Sequence, residues 1–157
     1  MRQLSVFIVV AALSACADKS DLLRFNVDGV EYEVPAGHIR SFSRAPHQFM
    51  RVKAPGQPFD LAYDSRLAGR ASSGWPVIFS LNDVPAPNVT YLESGGHKIV
   101  CRKASAPFGG CGFVIDDGEV KWSVLFSEEQ VPAAKELHVR ASEQLQKYRS
   151  ANLTKGT

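Results

Sequence analysis

The chain has 157 residues, of which 45% are hydrophobic and 22% charged, and its formal net charge at pH 7 is +2. So small a net charge argues against bulk electrostatic binding to nucleic acid. The length suits a single domain with an ordinary hydrophobic core. No internal repeat is found, and beyond the N-terminal segment nothing is apolar enough to be expected to cross a membrane.

The N-terminal segment has the order of an export signal. A positive charge at Arg2 precedes an apolar run over residues 6–13, and the run ends in the motif Leu13-Ser14-Ala15-Cys16. The run is too short to span a bilayer, and the small residues after it suit a signal peptidase. The motif resembles the lipobox of bacterial lipoproteins. The alternative is an ordinary secretory signal with an incidental cysteine.

The resemblance implies that residues 1–15 are a lipoprotein signal peptide and that Cys16 becomes the first mature residue. It further implies diacylglycerol on the Cys16 sulfur and an acyl chain such as palmitate on its amine. Residues 16–21 would then be a lipidated cysteine with a short tether, about 15–18 Å long when fully extended. Residues 22–151 are predicted to form a single globular domain.

The residues next to Cys16 bear on which membrane holds the anchor. In enteric bacteria an Asp directly after the lipidated cysteine tends to retain lipoproteins in the inner membrane. Here Ala17 fills that position and Asp18 comes one place later, an order that favours the outer membrane. We therefore expect a lipid-anchored protein of the bacterial cell envelope, with its domain in the periplasm.

Two Asp-Gly pairs lie between alternating apolar residues, which is the strongest short-range signal for a β-hairpin. A two-residue turn at Asp28-Gly29 places six apolar side chains on one face, and the same register is predicted around Asp117-Gly118. A slip of one residue would turn all of these side chains to the other face. The predicted pairs are Val27–Val30, Phe25–Tyr32, Leu23–Val34, Ile115–Val120, Phe113–Trp122 and Cys111–Val124.

Shorter strand candidates lie between the two hairpins. One of them, residues 77–81, is nearly all apolar, which predicts a central strand covered on both faces. The connections between candidates are rich in Gly, Pro, Ser and Asn and are predicted as surface loops. The other candidates are residues 49–52, 59–63, 89–92 and 98–102, and the predicted loops are residues 41–48, 64–74, 82–88 and 93–97.

The C-terminal segment is predicted to form an amphipathic helix, because its apolar residues recur at intervals of three and four. Pro132 suits the first turn of this helix. Such a helix can cover the apolar face of the hairpins. The predicted fold class is α+β, an antiparallel β-sheet of hairpins with a C-terminal amphipathic helix packed on it. The apolar stripe consists of Ala134, Leu137, Ala141, Leu145 and Tyr148.

Three cysteines are an odd number for an exported protein. Lipidation of Cys16 leaves Cys101 and Cys111 to form a disulfide. The bond would tether residues 102–110, and a rigid loop of this composition resembles the presenting loops of protein inhibitors, since preorganisation lowers the entropic cost of binding. The alternative is a structural staple below a solvated loop. The candidate partner-binding residues are Arg102, Lys103 and Phe108.

No catalytic or metal-binding spacing is found in the sequence. The histidines form no HExxH or HxH pair, the serines lie outside GxSxG motifs, and no glycine-rich phosphate loop is present. No catalytic residue, metal or cofactor is therefore predicted, although a histidine in a loop could serve a small hydrolase. The histidines are His38, His47, His97 and His138.

Basic residues gather between residues 40 and 53, with aromatic residues among them. This pattern is typical either of a surface for an anionic partner such as lipid headgroups or of an ordinary solvated face. The residues concerned are Arg40, Arg44, Arg51 and Lys53, with Phe42, Phe49 and His47 between them.

Together these patterns favour a membrane-anchored, non-enzymatic protein-binding module that acts as an inhibitor or immunity factor against an envelope hydrolase. Its expected partners are the membrane, through the N-terminal lipid, and a protein, but not nucleic acid. Two alternatives remain open: a small periplasmic hydrolase that uses a loop histidine, and an accessory lipoprotein that binds lipid or peptidoglycan. A convergent polar pocket would favour the enzyme.

Overall fold

The computed structural model describes residues 21–68, 89–102 and 110–149. Within these ranges an antiparallel β-structure carries one long helix near its C-terminus, which confirms the predicted α+β class. The predicted signal peptide, Cys16 and the strand candidate at residues 77–81 lie outside the described residues. Among the described residues, no helix is long and apolar enough to cross a bilayer.

The described strands are short and the connections between them are mostly tight. The strands are β1 (Leu22–Val27), β2 (Val30–Pro35), β3 (Ile39–Ser43), β4 (Phe49–Val52), β5 (Phe59–Asp64), β6 (Val89–Ser94), β7 (His97–Arg102), β8 (Gly110–Asp117) and β9 (Val120–Phe126). The helices are α1 (Ser65–Ala68) and α2 (Ala134–Tyr148), with 3-10 helices at Ala36–His38 and Glu128–Ala133.

Two antiparallel meanders make up the main sheet. Its strand order is β3-β4-β5-β9-β8-β7-β6, so the meander β3–β5 and the meander β6–β9 join where β5 pairs with β9. The hairpin of β1 and β2 is a separate two-stranded sheet. At the β3 edge, a register irregularity between Ile39 and Ser41 interrupts the pairing with β4.

The β1–β2 hairpin and α2 both pack on one face of the main sheet. Phe25 of β1 lies 5.7 Å from Tyr63 of β5, and Tyr32 of β2 lies 5.2 Å from Trp122 of β9, in each case between ring centroids in edge-to-face contact. Trp122 is fully buried. The core therefore lies between the main sheet and a second layer made of one hairpin and one helix.

The predicted register of the first hairpin is confirmed at every pair: Val27–Val30, Phe25–Tyr32 and Leu23–Val34. Asp28 and Gly29 have φ of 49° and 84°, so both central residues of the turn are left-handed. This is the geometry of a type I′ turn, which matches the right-handed twist of the strands it joins.

The predicted register of the second hairpin is wrong by two residues, although the predicted buried face is right. Asp117 pairs with Val120, and the turn is therefore Gly118-Glu119 rather than Asp117-Gly118. Of these two, only Gly118 has a positive φ, 68°, which fits a type II′ turn with glycine first. The observed pairs are Ile115–Trp122, Phe113–Val124 and Cys111–Phe126.

Three segments predicted as loops contain regular structure. Strand β3 begins before the predicted loop at residues 41–48 and continues into it, and α1 lies within the loop predicted at residues 64–74. Strand β6 continues to Ser94 and strand β7 begins at His97, so both reach into the loop predicted at residues 93–97, where Ser94 pairs with His97. Gly95 and Gly96 between them have φ of 59° and 81°, a second pair of left-handed turn residues.

The predicted helix is confirmed as α2, and every residue of its apolar stripe is buried. Burial of Leu137 and Leu145 contributes about 1.5–3 kcal/mol for each side chain. Pro132 lies in the preceding 3-10 helix instead of the first turn of α2. The helix ends at Tyr148. The next residue, Arg149, has an extended backbone conformation and forms a β-bridge with Tyr32 of β2.

Candidate functional site

The disulfide predicted between Cys101 and Cys111 is present in the structure. The two cysteines are directly opposite each other on β7 and β8, with their Cα atoms 4.0 Å apart. In an antiparallel pair, directly opposed residues approach each other most closely at non-hydrogen-bonded positions, where the usual distance between Cα atoms is about 4.5 Å. Both cysteines are buried, and their side chains lie on the core face of the sheet. The bond therefore joins the strands one residue before their connection.

The two ends of the β7–β8 connection are fixed by more than the disulfide. Arg102 pairs with Gly110, directly beyond the cysteines, and Arg102 also pairs with Val89 of β6. A Cβ atom at Gly110 would lie 2.9 Å from the carbonyl oxygen of Phe126, a distance that side chains do not adopt. Gly110 is thus required for β8 to approach β9 this closely.

The predicted partner-binding residues divide into one that the structure describes and two that it does not. Arg102 is partly exposed at the end of β7 and alternates with the buried Cys101, so it lies on the face of the sheet opposite the core. Lys103 and Phe108 lie outside the described residues. The structure shows how the two ends of this connection are held. Arg102 pairs with Gly110, and the Cys101–Cys111 disulfide joins the two strands directly before that pair.

The histidines are distributed over distant parts of the fold. His38 ends a 3-10 helix and its Nδ1 lies 2.8 Å from the hydroxyl of Tyr148, at the C-terminal end of α2. His97, predicted in a loop, is the first residue of β7 and stacks on His138. On α2, His138 and the Tyr148 that contacts His38 are about 15 Å apart, at 1.5 Å for each residue. His47 is exposed in the connection between β3 and β4.

The contact between His38 and Tyr148 connects the 3-10 helix at Ala36–His38 to the C-terminal end of α2. Burial raises the pKa of Tyr148 to about 12, although a hydrogen bond with Gln144 opposes the shift. The phenol therefore keeps its proton at neutral pH and can donate it to Nδ1 of His38. The same rings are also in edge-to-face contact, with centroids 5.9 Å apart.

A buried polar network, which the sequence analysis did not identify, centres on Asp117. Its carboxylate accepts hydrogen bonds from the Tyr32 hydroxyl at 2.7 Å, from Gln146 Nε2 at 3.1 Å and from Arg149 Nε at 2.9 Å. Trp122 Nε1 donates to the Tyr32 oxygen at 3.2 Å. Burial, opposed by the Trp122 hydrogen bond, raises the pKa of Tyr32, so that its hydroxyl acts as a donor. The network joins the β1–β2 hairpin, the β8–β9 turn and the end of α2.

The basic group between residues 40 and 53 is partly used in the fold. Arg51 Nε and Lys53 Nζ lie 2.7 and 3.7 Å from the two carboxylate oxygens of Asp60. Arg44 donates to the carbonyl oxygen of Arg24 at 3.3 Å, and its guanidinium lies 5.5 Å from the ring centroid of Phe42. Arg51 and Lys53 are therefore paired with Asp60 of β5, whereas Arg44 lies at the edge of β1.

A shallow cleft of about 430 Å³ lies beside the edge of β1. The Arg44 and Gln48 side chains donate to two β1 carbonyl oxygens there, at 3.3 and 3.4 Å. The charges of the cleft are mixed, since Glu31 also contributes to its wall. The other residues lining it are Arg24, Phe25 and Asn26, so no histidine of the described residues takes part.

Within the described ranges, no group of three or more His, Cys, Asp or Glu side chains is placed to hold a metal ion. Comparisons of the chain with protein-family models, with curated proteins and with solved structures gave no match. The candidate site with the most structural support is the disulfide end of β7 and β8, next to residues 102–110.

Proposed function

We propose that this protein is a lipid-anchored, non-enzymatic protein-binding module of the bacterial envelope, and that it presents residues 102–110 to a protein partner. The observation that supports this most directly is the Cys101–Cys111 disulfide at the base of that connection. The proposed partner is an envelope hydrolase. The module would act as an inhibitor of this enzyme or as an immunity factor against it.

The energetic reason is preorganisation. A flexible loop loses conformational freedom when it binds, at a cost of about 0.5–1.5 kcal/mol for each immobilised side chain. Here the strand pair Arg102–Gly110 and the disulfide restrict the loop ends before a partner arrives. An aromatic side chain next to cations, Phe108 with Arg102 and Lys103, is a composition typical of residues that dominate binding energy.

The proposed location rests on the leader sequence and on the short segment before β1. The motif at residues 13–16 supplies the lipid, and the domain begins at Leu22. A tether of about five residues would keep Leu22, at the start of β1, within about 15–18 Å of the membrane surface. A partner would therefore be sought among proteins that act at or near that membrane.

The test compares the mature wild-type protein with the double variant Arg102→Ala/Phe108→Ala. Partners captured from envelope extract would be purified, and their affinity for both proteins measured by calorimetry. We expect the double variant to bind at least about 30-fold more weakly, equivalent to about 2 kcal/mol, because central anchors contribute at least this much. Circular dichroism would check that the fold is retained.

A matched control places the same kinds of change elsewhere on the surface. Arg40 on β3 and Val139 on α2 are both exposed, so Arg40→Ala/Val139→Ala removes a cation and an apolar side chain away from the β7–β8 connection. This control should bind like the wild type. Equal loss in both double variants would assign the effect to general surface properties and contradict the proposal.

The same experiment separates the proposal from its alternatives. Replacement of His38, His47 or His97 by Gln, one at a time, should leave function in vivo unchanged. A hydrolase would instead be indicated if the loop variant kept full function while one histidine variant lost it. Binding of the wild-type protein to peptidoglycan or lipid vesicles that survives the double substitution would indicate an accessory lipoprotein.

A further inference from the structure

A stack of three rings lies between the β6–β7 turn and α2. His97 of β7 stacks on Phe113 of β8, with centroids 5.0 Å apart and planes inclined by 20°. His138 of α2 stacks on His97 at 4.6 Å and 21°. The two imidazoles, from residues far apart in sequence, therefore form a direct contact between the edge hairpin and the helix.

Two further contacts dock the tip of the β6–β7 hairpin at the start of the helical segment. The hydroxyl of Ser94 donates to the carbonyl oxygen of Val131 at 3.0 Å. Gly95 lies so close to α2 that a Cβ atom built on it would be 3.1 Å from the Cβ and the backbone nitrogen of Lys135. The histidine pair thus lies directly beside a tight backbone contact.

The surroundings of the histidine pair disfavour positive charge on His97. Burial, followed by the charge of His138, lowers the pKa of His97. Nδ1 of His138 is buried and has no hydrogen-bond partner in the part of the chain that the structure describes. A proton on His97 would therefore weaken the contact between the two rings.

Charged groups on the neighbouring elements do not offset this effect. Lys135, against the turn, adds positive charge. Glu93 and Lys98 alternate with Ser94 and His97 and lie on the opposite face of the sheet, and Glu128 and Glu129 are exposed on the 3-10 helix. On α2, Glu136 pairs with Arg140. The nearby part of β8 contributes the neutral Phe113.

We propose that the His97–His138 stack is an acid-sensitive latch, which holds the β6–β7 turn on α2 while His97 is neutral and releases it when His97 is protonated. The disulfide lies about 13 Å further along β7, at 3.3 Å for each residue. It keeps the other end of the hairpin on β8. Acid is therefore expected to open the turn end and to leave the disulfide end of the hairpin in place.

The direction of the pH dependence follows from the lowered pKa of His97. Because the open hairpin binds a proton more readily than the docked one, docking is fully stabilised above the ordinary histidine pKa of about 6.5. The stabilisation is lost as the pH falls below that value. This inference is independent of the proposed partner and of the lipid anchor.

Hydrogen exchange measured by mass spectrometry on the intact mature protein tests the latch. Between pH 7.5 and pH 5.0, after correction for intrinsic rates, exchange at the turn end of β6–β7 should rise relative to exchange in β1–β2. His138→Phe should keep a stacked ring and weaken the acid effect, because the burial of His97 remains while the charge of His138 is lost.

His47→Gln removes an exposed histidine elsewhere and should leave the acid effect unchanged. His97→Phe removes the group whose pKa is lowered, retains ring stacking and should abolish the acid effect. Three results would overturn the proposal: equal acid effects in β6–β7 and β1–β2, an acid effect that persists in His97→Phe, or its loss in His47→Gln.

Discussion

At the scale of single residues, Asp117 explains why the second hairpin differs from the first. In both hairpins the dipeptide is Asp-Gly, but Asp28 enters the turn with a φ of 49° whereas Asp117 remains in the strand. Three donors, from Tyr32, Gln146 and Arg149, bind its carboxylate in the core. A turn position would expose this carboxylate and leave buried donors unpaired, which costs about 1–3 kcal/mol for each group.

Asp117→Ala should therefore lower the free energy of unfolding by about 3 kcal/mol. This is near the lower end for a broken buried ion pair, because the side chain of Arg149 is 28% exposed and water can solvate part of it. The measurement is urea denaturation. Asp116→Ala provides a matched control on the next residue, since Asp116 is 65% exposed and its pair with Lys121 should contribute less than about 1 kcal/mol. Similar losses in the two variants would contradict the role assigned to Asp117.

Trp122→Ala should lower the free energy of unfolding by about 3–5 kcal/mol, the usual cost of removing a large buried ring. Trp122 is fully buried, in contact with Tyr32 and Tyr63, and it donates to the Tyr32 hydroxyl. The control is Val139→Ala on the exposed face of α2, which should change stability by less than about 0.5 kcal/mol. An unchanged denaturation midpoint for Trp122→Ala would be incompatible with the packing described.

At the scale of elements, sequence patterns predicted correctly those features that depend on interactions between residues close together in the chain. The stripe of α2 and the register of the first hairpin follow from periodicity and turn chemistry within a few residues, and both are confirmed. The second register depends on Asp117 and Tyr32, which are 85 positions apart. A pattern within one hairpin contains no information about such a partner. The buried face was still right, because a shift of two residues preserves the alternation.

The strands of the β6–β7 hairpin were predicted at residues 89–92 and 98–102, but its tight turn was missed although the signal for that turn is local. Gly95 and Gly96 both adopt left-handed φ, which glycine pairs favour in type I′ turns. The candidate site was only partly predictable for a different reason. Two cysteines of a small exported domain predict a bond, and the bond is present. The stack of His97 on His138 joins residues that no spacing rule connects, so it could be found only in three dimensions.

Gly95→Ala and Gly96→Ala make a matched pair for the docking of this hairpin. Both glycines have positive φ, so each alanine should incur a backbone cost of about 1–2 kcal/mol. At Gly95 the new Cβ would also press on Lys135, whereas at Gly96 nothing lies within 4 Å. Gly95→Ala should therefore destabilise the protein more in thermal or urea unfolding. Equal effects, or a larger effect at Gly96, would mean that the turn does not rest on α2.

At the scale of the whole molecule, one layered core carries two features at opposite ends of β7. The disulfide lies near one end of the strand, and the histidine stack contacts α2 at the other. The hairpin β1–β2 completes the second layer, and Leu22 at its start is exposed where the segment from Cys16 enters. The Asp117 network connects the same hairpin, through Tyr32 of β2, to the C-terminal end of α2.

Cys16→Ser should release the protein from the membrane, because the acyl chains attach through that residue in the lipoprotein resemblance. Each buried CH₂ contributes about 0.8 kcal/mol to anchoring, so two or more chains hold a protein that one holds only marginally. Fractionation should find the wild type with the outer membrane and Cys16→Ser outside it, and intact mass should show lipid on the wild type alone. The matched control is Cys101→Ser/Cys111→Ser, which removes the disulfide and should remain lipidated. Unchanged membrane partitioning of Cys16→Ser would refute the anchor, and a cleaved leader without added lipid mass would identify an ordinary secretory signal.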